Sequence, residues 1–340
     1  MITKLPRISW MPLLATIALL PATLFADTRT TETVVSGVDQ TLLEASLDPS
    51  DMKIVLEHLL NSAVFDTKDY KMKHEHITYS DEDALLAAVD SKSVDMFVMF
   101  TTEYLKYKDR DMEPVACLSS SGKSQDTYSI MSKGDGTRPL ADYRGESIII
   151  YAAGPREMVD MWLRVELIRA GLPEPEAFFG SIEYVTKMSK AVTPVYFGKA
   201  TLCLVHDKGL EAMAVLNPQI ARKLKPVVVS PPLLQGLLCM RRSLDPEKRA
   251  RMLNGVLSLN TSVAGTQILR FARVDKILEI SGRDIAATEA LYEEYTSYQG
   301  GSLQVTATPA GNDTGEEMEV RSAIPLPANS ITIRDRKIPR

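Results

Sequence analysis

Apolar residues recur along this chain in two alternating rhythms, one of short runs and one of helical spacing. Runs at 33–37 (TVVSG), 70–80 (YKMKHEHITYS) and 94–100 (VDMFVMF) read as strands, the last one apolar enough for a central parallel strand. Between them, Asp48 and Pro49 open a predicted helix with an inner face of Met52, Val55, Leu59, Leu60 and Ala63. A helix over 81–90 turns Leu85, Leu86 and Val89 inward. Two strands close together, EPVACLS and TYSIMS, break the rhythm near residue 125.

The rhythm then restarts. A strand ending at Tyr151 runs through a small-residue turn, Ala152–Ala153–Gly154, into a helix over 155–170. Pro155 suits its first turn, and Met158, Met161, Trp162, Val165 and Ile168 follow at helical spacing. IEYV, a helix at 187–197, ATLCLVH, a helix at 207–224 and KPVVVS continue the set. SPPLLQGLLCMRR reads as a connector returning to the first set. Asp245 and Pro246 then cap a helix with Met252, Leu253, Val256 and Leu257 inside, and a final helix covers 281–297. Strand–helix alternation of this kind predicts an α/β fold of two lobes, the second inserted in the first. The expected division is 27–125 plus 236–299 for lobe 1 and 126–235 for lobe 2 with the hinge strands. Residues 300–340 lose all periodicity and read as a flexible C-terminal extension.

The first 26 residues carry a different signal. Lys4 and Arg7 precede the apolar run 10–20, and Pro21 and the stretch ending at Ala26 follow. That is the layout of a secretory signal peptide cleaved after Ala26, with an uncleaved anchor as the alternative. Leu24 is an uncommon residue three positions before the cut. Losing Lys4 and Arg7 lowers the formal charge from −5 to −7. The expected product is a periplasmic protein with no stable membrane insertion after cleavage. With no basic stripe, nucleic acid is not an expected partner. Cys117, Cys203 and Cys239 each lie in an apolar run and read as buried thiols, Cys203–Cys239 being the alternative pair.

The order of these elements resembles the phosphate/phosphite/phosphonate-type periplasmic solute-binding proteins over roughly 33–295. The stretches that carry the likeness are DALLAAVDSKSVDMFVMFTTEYL (83–105), PLADYRGESIIIYAAGP (139–155), FFGSIEYV (178–185) and 227–265. The resemblance implies a type II periplasmic-binding-protein-like fold with hinge strands and a ligand between the lobes. It also implies the binding component of an ABC-type transporter, with a small-molecule ligand and a membrane permease or other envelope protein as partners.

By position, the family's anion turn falls on Ala153, Gly154 and Arg156, where its usual hydroxyls are missing. Ser189 falls near the family's next ligand stretch, and His206 follows the strand at 200–205. Thr101, Thr102 and Tyr104 follow the central strand of the first lobe, and Tyr128 and Ser129 sit at the candidate hinge. Each has a plainer alternative. Arg156 could pair with Glu157 or Asp160, the threonines could cap a helix, and His206 could be structural. The altered turn leaves two further readings open: an accessory or interaction module of an envelope complex or sensor, and a binder of an apolar or lipid-like ligand.

No enzyme motif is present. SSSGKS (119–124) imitates the end of a phosphate loop, but Cys117 stands where the first Gly is needed. His74 and His76 share a strand face without a third ligand, so no metal is expected, and no cofactor is implied.

Overall fold

The computed structural model describes residues 31–40, 42, 71–120, 122–134, 138–152, 156–271 and 274–301. The predicted signal peptide, the helix expected around 49–63 and the extension beyond 301 lie outside the described residues. The described residues up to Tyr298 belong to one compact unit. A second unit, Gln299–Arg340, is described only as far as Gly301, where a helix ends.

Two sheets organise the first unit. One contains β1 (Thr31–Asp39), β2 (Lys71–Tyr79), β3 (Met96–Phe100) and β4 (Glu113–Ser119). A two-residue strand, β5 (Gln125–Asp126), leads out of it. The other sheet contains β6 (Tyr128–Lys133), β7 (Ser147–Tyr151), β8 (Ser181–Val185), β9 (Leu202–His206) and β10 (Leu224–Val229). The chain returns through β11 (Leu233–Leu234) to β12 (Gly236–Met240) and β13 (Lys276–Glu279) in the first sheet. Strand orders are β13-β4-β12-β3-β1-β2 and β10-β6-β9-β7-β8. In each sheet three parallel strands (β2, β1, β3 and β8, β7, β9) continue into antiparallel ones.

This arrangement corrects two readings. VDMFVMF is central but parallel only to β1, since its other neighbour is antiparallel β12. SPPLLQGLLCMRR is more than a connector: Gly236–Met240 is a strand between β3 and β4. The two prolines at its start disguise it, because they belong to the crossing that precedes the strand.

The helices follow strand ends. They are α1 (Glu82–Asp90), α2 (Thr101–Lys106), α3 (Glu157–Arg169), α4 (Pro175–Phe178), α5 (Met188–Tyr196), α6 (Asp207–Leu216) and α7 (Gln219–Lys223). Then come α8 (Pro246–Ser258), α9 (Val263–Phe271) and α10 (Gly282–Gly301). The helix expected over 207–224 is broken in two at Asn217 and Pro218, because proline cannot donate the hydrogen bond that would continue it. None of the described helices is long and apolar enough to cross a membrane.

Each lobe has its own core. In one, Leu85, Leu86, Val89, Phe97 and Met99 pack with Leu237 and Cys239. In the other, Trp162, Ile148, Ile150, Leu163 and Phe178 pack with Leu202 and Leu204. The three cysteines are buried free thiols, and burial raises the pKa of Cys203 to about 12. A close backbone approach fixes Gly180: a Cβ there would meet the Gly145 carbonyl oxygen at 2.1 Å.

Three of the described segments cross between the lobes. Strands β5 and β11 pair antiparallel, Gln125 with Leu234 and Asp126 with Leu233. The third is α10. Its Ile285 joins the first-lobe core and its Leu291 the second-lobe core. Ion pairs repeat the pattern, Lys108–Glu289 at 2.9 Å on one side and Arg169–Glu294 at 2.6 Å on the other. Thr288 accepts the backbone N–H of Leu234 at 2.9 Å, tying the helix to the crossing strand.

Candidate ligand-binding site

Parallel strands aim their carboxyl ends at the crevice where α/β proteins hold ligands. In the first lobe the two inner parallel strands end at Asp39 of β1 and at Phe100 of β3, which Thr101 follows. Thr101 and Thr102 are both buried. Thr101 donates its backbone N–H to the Gln235 carbonyl at 2.9 Å, and its hydroxyl has no partner among the described residues. Glu103 folds back to accept the Phe100 N–H at 2.8 Å. Burial pushes the pKa of Glu103 up to about 7, against that hydrogen bond, and the charges of Asp39, Glu82 and Glu157 add to the rise. Asp39 uses Oδ1 to accept the Leu42 N–H at 2.9 Å, and its buried Oδ2 has no partner among the described residues.

In the second lobe the strand ends are Tyr151 and His206. Their rings meet edge to face at 5.1 Å. His206 caps α6, its Nδ1 accepting the Gly209 N–H at 3.1 Å, so the tautomer carries its proton on Nε2. Burial lowers its pKa, with Asp126 opposing the shift, and a neutral ring results at pH 7. Glu157 opens α3, where the positive end of the helix dipole favours a carboxylate. It accepts the Thr102 hydroxyl at 2.8 Å, joining the helix that follows β3 to the helix that follows β7.

The predicted residues therefore separate. Thr101 and Thr102 sit at the meeting of the lobes. Arg156 lies over the Tyr184 ring at 4.1 Å, and Tyr184 donates to Asp160 at 2.8 Å. Ser189 is exposed in the first turn of α5. Tyr128 faces His206 across β6 and β9, stacks on Trp162 at 6.1 Å, and its hydroxyl accepts from Gln235. Ser129 follows it on β6, half-buried beside Val229 and Val205. Tyr104 is apart from these, lining a cavity of about 290 Å³ with Glu113, Ile280, Ile285 and Glu289. Ala153 and Gly154 lie outside the described residues.

Two clusters resemble metal sites and are otherwise engaged. Asp126, His206 and Asp207 bring ligand atoms within 4.8 Å of one another. Lys208 pairs with Asp126 at 2.8 Å and Lys123 with Asp207 at 2.6 Å, so ammonium groups already supply the positive charge. His74 and His76 both bond the Ser36 hydroxyl, at 2.8 and 2.9 Å.

Sequence reasoning missed Asp39, Glu82, Glu103 and Glu157. Each stands at a strand end or in the first turn of a helix, but acidic residues are common there for dipole reasons alone.

Two lobes with matching sheets, joined by strand crossings, define the class of fold: a two-lobed, type II periplasmic-binding-protein-like fold. Residues 67–285 match the family described as ABC transporter, phosphonate, periplasmic substrate-binding protein, and the chain belongs to that family. It is a family of solute receptors for ABC transporters, not of enzymes. No curated protein sequence matches the chain. Among solved structures, XAC2383 from Xanthomonas citri bound to ATP is similar at 14% identity, TM-score 0.54, covering 79% of this chain and 98% of that one. A binding protein component of an ABC phosphonate transporter from Pseudomonas aeruginosa matches at 14% identity, TM-score 0.50, over 82% and 90%. PhnD1 from Prochlorococcus marinus in complex with methylphosphonate matches at 10% identity, TM-score 0.50, over 78% and 98%.

Proposed function

We propose that this receptor holds one small molecule between its lobes, at the carboxyl ends of β1, β3, β7 and β9, and presents it to a membrane permease. The observation that carries this reading is the Thr102–Glu157 hydrogen bond, which brings the helix after β3 against the helix after β7. A ligand touching both lobes would favour this closed arrangement by its differential affinity. Residues 1–26 would direct the chain to the periplasm and be removed there.

The test is native mass spectrometry of the protein released from the periplasm, together with its N-terminal sequence. The expected result is a chain beginning at Asp27 carrying one small molecule that dialysis or mild unfolding removes. A periplasmic protein that never carries or rebinds a small molecule would overturn the receptor reading.

A further inference from the structure

We infer that the ligand presents a primary ammonium or guanidinium group, held by a carboxylate box of Asp39, Glu103 and Glu157 with the Thr101 hydroxyl. The inference rests on the proposed interlobe site and deepens it. Four carboxylates from four separate elements gather where the lobes meet. Glu157 is fixed by Thr102 at 2.8 Å and Glu103 by the Phe100 N–H at 2.8 Å. Val38 of β1 pairs with Val98 of β3, so Asp39 lies beside the strand end where Glu103 folds back on Phe100, and Thr102 brings Glu157 to the same turn. Among the described residues the cation that pairs with this group is Lys106, 3.9 Å from Glu82 on its flank. Arg156, the one cation at the start of α3, is stacked on Tyr184.

A second observation, independent of the charge count, points to a ligand. Asp39 is 1% exposed and Thr101 0%, yet Asp39 Oδ2 and Thr101 Oγ1 have no hydrogen-bond partner among the described residues. Buried polar atoms without partners are costly, and they are tolerated where something else completes them. Both can accept a hydrogen bond. A donor-rich cation satisfies them and offsets the carboxylate charge, whereas a phosphonate would add negative charge beside Glu103 and Glu157. Accepting atoms need N–H groups, so a quaternary ammonium lacks what the site asks for.

Calorimetric titration of the ligand-free protein with putrescine, agmatine, tetramethylammonium and methylphosphonate tests this. Putrescine or agmatine should bind, more weakly as salt rises, while tetramethylammonium and methylphosphonate should not. Glu103→Gln should weaken the amine by at least about tenfold, the worth of one charge-assisted contact. Methylphosphonate binding that Glu103→Gln leaves unchanged or improves, or no amine binding at all, overturns the cation inference. If methylphosphonate binds and the lobes close on it, the receptor reading stands without the cation. If the periplasmic protein carries no small molecule of any charge, the receptor reading itself falls.

Discussion

Asp95→Ala should lower the stability of the protein by about 3–5 kcal/mol, the cost of leaving buried charges without their counter-ion. Asp95 precedes β3 and is buried. Its Oδ1 accepts Arg241 at 2.7 Å, and its Oδ2 accepts Lys248 at 3.1 Å and the Val35 N–H at 3.0 Å. Arg241 also donates to the Val94 carbonyl at 2.7 Å, so it is held in place after Asp95 is gone. Removing one carboxylate strands a buried guanidinium and a backbone N–H together, while Lys248 keeps the Thr33 carbonyl at 3.0 Å and Glu32 at 4.0 Å. Asp95→Asn, which keeps the acceptor geometry of one oxygen, should lose less. Urea unfolding monitored by circular dichroism reads both values. A loss for Asp95→Ala under about 1 kcal/mol, the range of exposed pairs, would contradict this account of the cluster. The cluster lies at the opposite end of β3 from Thr101, so the folded variant should bind ligand as the parent does.

Glu103→Gln should do the reverse and stabilise the protein at alkaline pH. In the unfolded chain Glu103 titrates near 4.5, and in the folded protein burial first, then Asp39, Glu82 and Glu157, raise it to about 7. Between those values the folded state keeps a proton that the unfolded chain has released, so stability falls as pH rises through this window. By pH 8 the deficit reaches about 3 kcal/mol. Gln removes the titration while its carbonyl can still accept the Phe100 N–H. Parent and variant should therefore diverge by several degrees in Tm at pH 8 and converge near pH 4.5. His74 acts with the opposite sign. Burial first, then His76, lowers its pKa from 6.5 to about 4. Over that range the unfolded chain gains a proton the folded one refuses, so stability falls on acidification. The parent shows the opposing slopes partly cancelling, and Glu103→Gln should expose the acid slope of His74, to which His76 and His206, also lowered by burial, add with the same sign. Equal Tm differences at every pH would contradict the assignment. A variant both more stable and poorer at binding is expected where a site stores unfavourable electrostatics for its ligand.

Much of the fold was legible because its core faces are periodic. Leu85, Leu86 and Val89, or Met158, Met161, Trp162 and Val165, announce their helices by spacing and are buried as expected. The break at Pro218 was present in the sequence and was overridden by the apolar pattern on both sides. Strand β12 was hidden by the prolines before it, and α9 and β13 lie in a stretch with weak punctuation. The site was far less legible. Thr101 and Thr102 could be placed because they directly follow an apolar strand. Arg156 could not be judged, since its partner Tyr184 comes from β8 and is near only after β7 and β8 pair. The proposed carboxylate box draws Asp39, Glu103 and Glu157 from three elements, and only the fold makes them neighbours.

The central claim is that two lobes close over a small molecule where Thr102 meets Glu157. Small-angle X-ray scattering on the protein freed of ligand, and again after saturation with the molecule recovered from it, tests this most directly. The account predicts a smaller radius of gyration on saturation and a loss of that contraction in the Thr102→Val, Glu157→Gln double variant. Stoichiometric binding with an unchanged radius of gyration would contradict it.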